Sequence, residues 1–185
     1  ADAAAGDMAA YAAAAVSADM MDEADGTADN SLSGTEGNDF LYDGDGNDLI
    51  VYDSTDYLIH GGEGIDVLLS GSDAGLHLED LLQADPNADK GPRVEDVEVL
   101  IKGADALDLT GMDDLAAKLG VTIDGDAMSL SGEWTRDEKA SSDEYAVFTH
   151  ESGVTLETSL TPVQTDTAAE AESQIQQFIL QNSNG

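Results

Sequence analysis

From Gly34 onward the chain repeats every nine residues, and no other feature limits its possible folds as strongly. The rungs run Gly34 to Tyr42, Asp43 to Val51, Tyr52 to His60 and Gly61 to Leu69. The eighth position is Leu41, Ile50, Ile59 and Leu68, apolar each time. The fourth is Gly37, Gly46, Thr55 and Gly64, and the sixth is Asp39, Asp48, Tyr57 and Asp66, so the third rung alone departs from the glycine and the aspartate.

Each position has a physical reason. The first six residues of a rung reverse the chain tightly, and glycine reaches the positive-φ conformations this needs without Cβ strain. The last three form a short strand whose middle side chain faces inward and stacks on its counterparts. Two rungs make one coil of eighteen residues, so Leu41 and Ile59 are expected in one sheet and Ile50 and Leu68 in the other.

The same geometry sets the turn Asp43 to Asp48 directly against Gly61 to Asp66. Calcium takes about six to eight hard oxygen ligands. Two stacked turns can offer it the carboxylates of Asp48 and Asp66 together with carbonyls that the glycine turns expose. The opposite edge sets Gly34 to Asp39 against Tyr52 to Tyr57, where threonine and a phenol replace glycine and aspartate. Asp39 there is a candidate half-site, helped by Asp53 or Asp56.

The pattern Gly-Gly-x-Gly-x-Asp-x-apolar-x closely resembles the calcium-binding RTX repeat family over residues 34 to 71. On that family's pattern the ligating carbonyls come from around Gly44, Gly46, Gly62 and Gly64. The resemblance implies a short parallel β-roll in a bacterial, extracellular protein sent out by a type I secretion apparatus, and more loosely the distal region of a large adhesin. It also implies that the extreme C-terminus carries an uncleaved secretion signal.

Composition agrees with a cation-dependent fold. Forty Asp and Glu stand against six Lys and Arg, a formal net charge of −34, and such self-repulsion opposes compaction unless cations gather on the chain. The lack of basic clusters argues against nucleic acid and against attachment to anionic lipid. There is no cysteine, hence no disulfide framework and no thiolate chemistry. No apolar run reaches the roughly eighteen residues of a membrane span.

Around the repeats the expected organisation is mainly β. Residues 1–33 form an alanine-rich and acidic leader, with a helix over Asp7 to Met21 on alanine propensity and no positive n-region of a secretory signal. Beginning on Ala1, the chain reads as a piece of a longer parent. The roll occupies 34–75. An α+β, partly antiparallel cap at 76–160 closes it, since two coils are fewer than the three or so repeats a solenoid needs. Within the cap, Leu76, Leu78, Leu81 and Leu82 suit a short helix or an extended segment closing the roll, and Val94 to Ile101 one buried strand. Met112, Leu115, Ala116 and Leu119 keep helical spacing up to a C-cap at Gly120. Val121 to Asp124, Ala127 to Trp134, Tyr145 to His150 and Val154 to Leu160 read as four antiparallel strands. Residues 161–185 form a polar tail with an amphipathic segment around Ile175, Phe178, Ile179 and Leu180, the expected secretion signal.

Other chemistry finds little support. Asp43, Asp45 and Asn47 fail as an EF-hand, because the sixth position is Asp48 and the twelfth Ser54. His60, His77 and His150 are too dispersed for a zinc site. No Gly-x-Ser-x-Gly elbow or His-Glu-x-x-His occurs, so no catalytic function is expected. Trp134 reads as core packing; a glycan surface around Trp134, Tyr145 and Phe148 is the alternative, together with binding to a cell-surface ligand. A third reading is a self-associating surface-layer or biofilm matrix protein.

Overall fold

The computed structural model describes residues 20–22, 28–34, 38–51, 55–71, 76–83, 93–104, 107–165, 175–177 and 180–181. It is mainly β, and its first half is built from parallel strands. One sheet contains β1 (Met20–Asp22), β3 (Phe40–Asp45), β5 (Leu58–Glu63) and β7 (Arg93–Glu95) in that order. The other begins with β2 (Ser31–Ser33), β4 (Leu49–Val51), β6 (Val67–Ser70) and β8 (Val99–Lys102), again all parallel.

The register follows the nonapeptide period. Leu41 pairs with Ile59 in the first sheet and Ile50 with Leu68 in the second. All four are fully buried in one cluster with Leu32, Val94 and Leu100, which fills the space between the sheets. Helix α1 (Leu78–Leu82) covers that cluster with Leu78 and Leu81, the helical one of the two forms expected of these leucines.

The stack is wider than the expected span of 34–75. At its start, Met20–Asp22 is a strand paired with Phe40–Tyr42, where a helix reaching Met21 was expected; the rest of that expected helix lies outside the described residues. Ser31–Ser33 is likewise a strand and not leader. At its far side, Val94 to Ile101 is two strands, β7 and β8, separated by a turn at Asp96, whose φ of 52° reverses the chain. The repeat coils therefore have neighbours on both sides, β1 and β2 before them and a third coil, β7 and β8, after them.

The second sheet is buried on both faces, which is why β6 and β8 carry near-continuous apolar runs. Its outer side holds Leu49, Val67, Leu69, Val99 and Ile101 against the remainder of the cap. There α2 (Met112–Asp114) runs on into a π-helical turn, Leu115–Leu119, ended by Gly120 at φ 64°. The hairpin of β9 (Val121–Asp124) and β10 (Ala127–Ser131) follows. The expected strand Ala127 to Trp134 is broken by Gly132 at φ 86°, and Trp134 opens β11 (Trp134–Arg136) in the other sheet. There β11, β12 (Ala146–His150) and β13 (Thr155–Thr158) pair antiparallel in sequence, and β13 docks on β8.

Past residue 161 the chain is not only tail. β14 (Val163–Thr165) pairs parallel with β10, and Ile175 is helical and buried. No helix among the described residues is long and apolar enough to cross a membrane.

Candidate metal centre

The edge joining β3 to β4, β5 to β6 and β7 to β8 carries two of the three sixth-position carboxylates. Asp48 and Asp66 are both fully buried there. They are tied to each other through the main chain: Asp48 N–H donates to Asp66 Oδ1 at 3.0 Å. Asn30 N–H donates to Asp48 Oδ1 at 2.6 Å, and Asp66 N–H donates to Glu98 Oε2 at 3.0 Å. A ladder of acidic side chains thus runs along the edge, each accepting from the coil before it. A second ladder of opposite polarity lies beside it, with Asn47 N–H donating to Asp29 Oδ1 and Ile65 N–H to Asn47 Oδ1.

These bonds use one oxygen of each aspartate. Asp48 Oδ2 and Asp66 Oδ2 are buried without a hydrogen-bond partner, a costly condition for an ionised group in a protein interior. Burial pushes the Asp66 carboxyl up to about 8, against the pull of the Asp48 N–H, and the negative charges of Asp48, Glu98 and Asp43 push it the same way. Burial also raises Asp48, opposed by Asn30 N–H and reinforced by Asp29. Glu98 is raised by burial, opposed by Asp66 N–H and reinforced by Asp96.

The glycines of these turns are fixed by close approach. Gly44, Gly46, Gly62 and Gly64 all have φ between 118° and 149°. A Cβ on Gly62 would stand 1.7 Å from Gly44 O, and one on Gly64 1.8 Å from Gly46 O. The carbonyls of the first turn therefore point along the stack into the second. No family model, curated protein or solved structure matches the chain.

The sequence expectation brought together Asp48, Asp66 and the four glycines, and the fold stacks all six on one edge. Two acidic residues it did not assign are Asp43, almost fully buried, and Glu98. Asp43 stands at the first rung position, which glycine holds in two of the four rungs; Glu98 lies beyond the repeats and has no motif to announce it. Among the described residues no three acidic or histidine side chains form a cage by themselves, so an ion between the first two coils would draw on main-chain carbonyls as well. With orphaned hard oxygens, carbonyls aimed along the stack and no soft donors, the set fits a hard divalent cation.

Asp39 is on the opposite edge and fully buried. A Cβ on Gly34 would meet Asp39 Oδ2 at 2.6 Å and Asp56 Oδ1 at 3.2 Å, so Asp56 is the carboxylate the fold brings to it; Asp53 lies outside the described residues. His60 pairs with Asp96 at 3.2 Å and stacks on Tyr42. His77 is bound to Glu157. Trp134 and Phe148 are 6% and 4% exposed, and Trp134 Nε1–H donates to Leu119 O at 2.6 Å. These two aromatics are core, and of the three residues of the expected glycan surface Tyr145 alone is partly exposed.

Proposed function

We propose that this chain is a calcium-dependent folding and capping module of the RTX β-roll type, belonging to the C-terminal end of a secreted bacterial adhesin or surface protein, with no catalytic role of its own. The observation that carries this reading is the pair of buried, unpartnered oxygens on Asp48 and Asp66 in adjacent coils. An acidic ladder of this kind destabilises a chain of net charge −34 as long as it holds negative charge alone.

Bound calcium would supply the compensating charge and the missing oxygen partners. Asp48 and Asp66 would hold it through their carboxylates, whose Oδ1 atoms also keep the coils in register through the main chain. The carbonyls of Gly44, Gly46, Gly62 and Gly64 complete the donor set that the family resemblance implies. Where calcium is scarce the same carboxylates repel one another and favour an extended chain, which suits passage through a type I exporter. In millimolar calcium outside the cell, binding adds stability as RT ln(1 + [Ca]/Kd), roughly 1 to 3 kcal/mol for an extracellular-grade site.

The test is a calcium titration of the chelated chain followed by circular dichroism and melting temperature. Both the β signal and the melting temperature should rise. A melting curve indifferent to chelator would overturn the reading.

A further inference from the structure

The rest of the chain treats the two parallel sheets differently. The cap covers the outer side of the second sheet, whereas among the described residues no element packs across the outer side of the first. Alternation along its strands decides what stands there. Leu41, Ile59 and Val94 point into the core, so Phe40, Tyr42, Leu58 and His60 point out, Phe40 beside Leu58 and Tyr42 beside His60. These four positions on the two central strands hold no carboxylate, in a chain with forty Asp and Glu.

The outward side chains form an ordered aromatic surface. The Tyr42 ring stacks on His60 with centroids 4.4 Å apart, and Phe40 lies 5.0 Å from Tyr57 at the foot of β5. Tyr42 is 45% and Tyr57 44% exposed, two of the three large apolar side chains that stand exposed among the described residues. Rings already held by their neighbours lose little freedom when a ligand settles on them. A polar rim runs beside them on β7 and the turn after it. There Arg93 is ion-paired with Glu95, and Asp96 Oδ2 lies 3.2 Å from His60 Nε2; all three rim side chains are open to solvent.

Shape and charge select the occupant. Four strands, three to six residues long and about 4.8 Å apart, present a face on the order of 300 Å². Each partner in a stable protein interface gives roughly 800 Å², so this face alone is too small for one. A second copy would also bring another net charge of −34 against this one. A peptide strand adds to a free sheet edge, not to a face. A sugar chain is narrow, carries an apolar C–H face that suits the negative face of an aromatic ring, and has hydroxyls along its sides for a polar rim. We propose that the outer face of the first sheet docks a neutral polysaccharide, stacked on Tyr42 and Tyr57 and hydrogen-bonded by Arg93, Glu95 and Asp96. The surface uses none of the proposed calcium ligands, and it does not need Trp134 or Phe148, which are core.

The test runs the whole chain, with calcium present, through native gels containing dextran, soluble starch, galactomannan or hydroxyethylcellulose, with polygalacturonate as the anionic counterpart. At least one neutral polymer should retard the chain, and more strongly than polygalacturonate does. Tyr42→Ala with Tyr57→Ala should weaken that binding about tenfold or more, as two lost ring contacts imply. Tyr42→Phe with Tyr57→Phe keeps the rings and should keep most of the binding. Circular dichroism and melting temperature should match in all of these variants, which separates loss of the surface from loss of the fold. In the unaltered chain the retarding polymer should protect Tyr42 and Tyr57 from nitration by tetranitromethane, read by mass spectrometry; unprotected rings overturn the proposal even where the alanine pair fails to fold. Unchanged binding in a folded alanine pair overturns it too, as does a wild-type chain that no neutral polymer retards or that polygalacturonate retards equally. A dimer in sedimentation velocity that the alanine pair dissolves assigns the face to a second copy and overturns it as well. None of these outcomes bears on the calcium reading, which stands or falls on the chelator titration.

Discussion

Asp48 N–H donates to Asp66 Oδ1 at 3.0 Å, so the two carboxylates that the eighteen-residue period aligns are linked through the backbone of one and the side chain of the other. The bond fixes the register of neighbouring coils, and it leaves the second oxygen of each acid facing protein interior. The residues that set the register therefore also carry the unpartnered oxygens.

The first consequence is a pH dependence of the chelated chain. Asp66 titrates near 8 when folded, against 3.8 for the ordinary group, so between these values the folded state holds a proton that the unfolded state has released. Stability from this group is fully present below about pH 4 and is lost as pH rises through 8. Asp48 and Glu98 are raised in the same direction. In chelator the melting temperature should be higher at about pH 5 than at about pH 8, by about 5 °C or more for a chain of this size. Saturating calcium should remove or reverse the slope. Asp66→Asn should flatten it without calcium, and an equally steep slope in that variant would contradict the assignment.

The second prediction separates the two edges. Asp48→Ala and Asp66→Ala should each lose most of the calcium-dependent rise in melting temperature, whereas Asp53→Ala should lose little, because Asp53 belongs to the rung that has lost its motif. Equal effects in a calcium titration of the three variants would refute the placement of the site.

A third expectation concerns the glycines. Gly62→Ala must place a methyl group 1.7 Å from Gly44 O at a φ of 118°, so the coils have to separate, costing more than about 3 kcal/mol. Gly125→Ala, at φ 54° with nothing within 4 Å, should cost only about 1 kcal/mol of left-handed strain. Urea denaturation of both variants measures the difference.

The parts of this fold that could be read from sequence are those whose reason is local. Leu41, Ile50, Ile59 and Leu68 sit at a fixed period because each inward side chain touches the one a coil away, and the turn carrying Asp48 needs glycine for its own backbone. The third coil has neither signal. Its turn uses Asp96 where a glycine would advertise a positive φ, and Glu98 takes the aspartate's place after a long excursion that breaks the period. Met20–Asp22 was hidden by an alanine-rich context that favours helix until Phe40–Tyr42 offers a strand to pair with. Trp134 looked continuous with Ala127–Ser131, because the turn at Gly132 changes sheets without any break in the apolar pattern. In each case a tertiary partner, absent from the local sequence, decided the outcome.

The last prediction concerns the joint between coil and cap. Lys102 on β8 extends its ammonium to Glu157 on β13 and to the Leu76 carbonyl, both at 2.6 Å. Glu157 also accepts Leu78 N–H at the start of α1. Both side chains are more than nine-tenths buried. Burial works to raise the Glu157 carboxyl, but hydrogen bonds from Lys102, Leu78 N–H and His77 together hold it below its ordinary value. Its contribution is therefore present at neutral pH and lost as pH falls through the carboxylate range, opposite in sign to Asp66. Removing one partner strands a buried charge, so Lys102→Met or Glu157→Leu alone should cost about 3 to 5 kcal/mol, while the double variant, with two apolar chains in contact, should recover much of that loss. A double-mutant cycle in urea gives the coupling directly. Additive losses would show that the two residues act independently, each through its own bonds to the segment that opens α1.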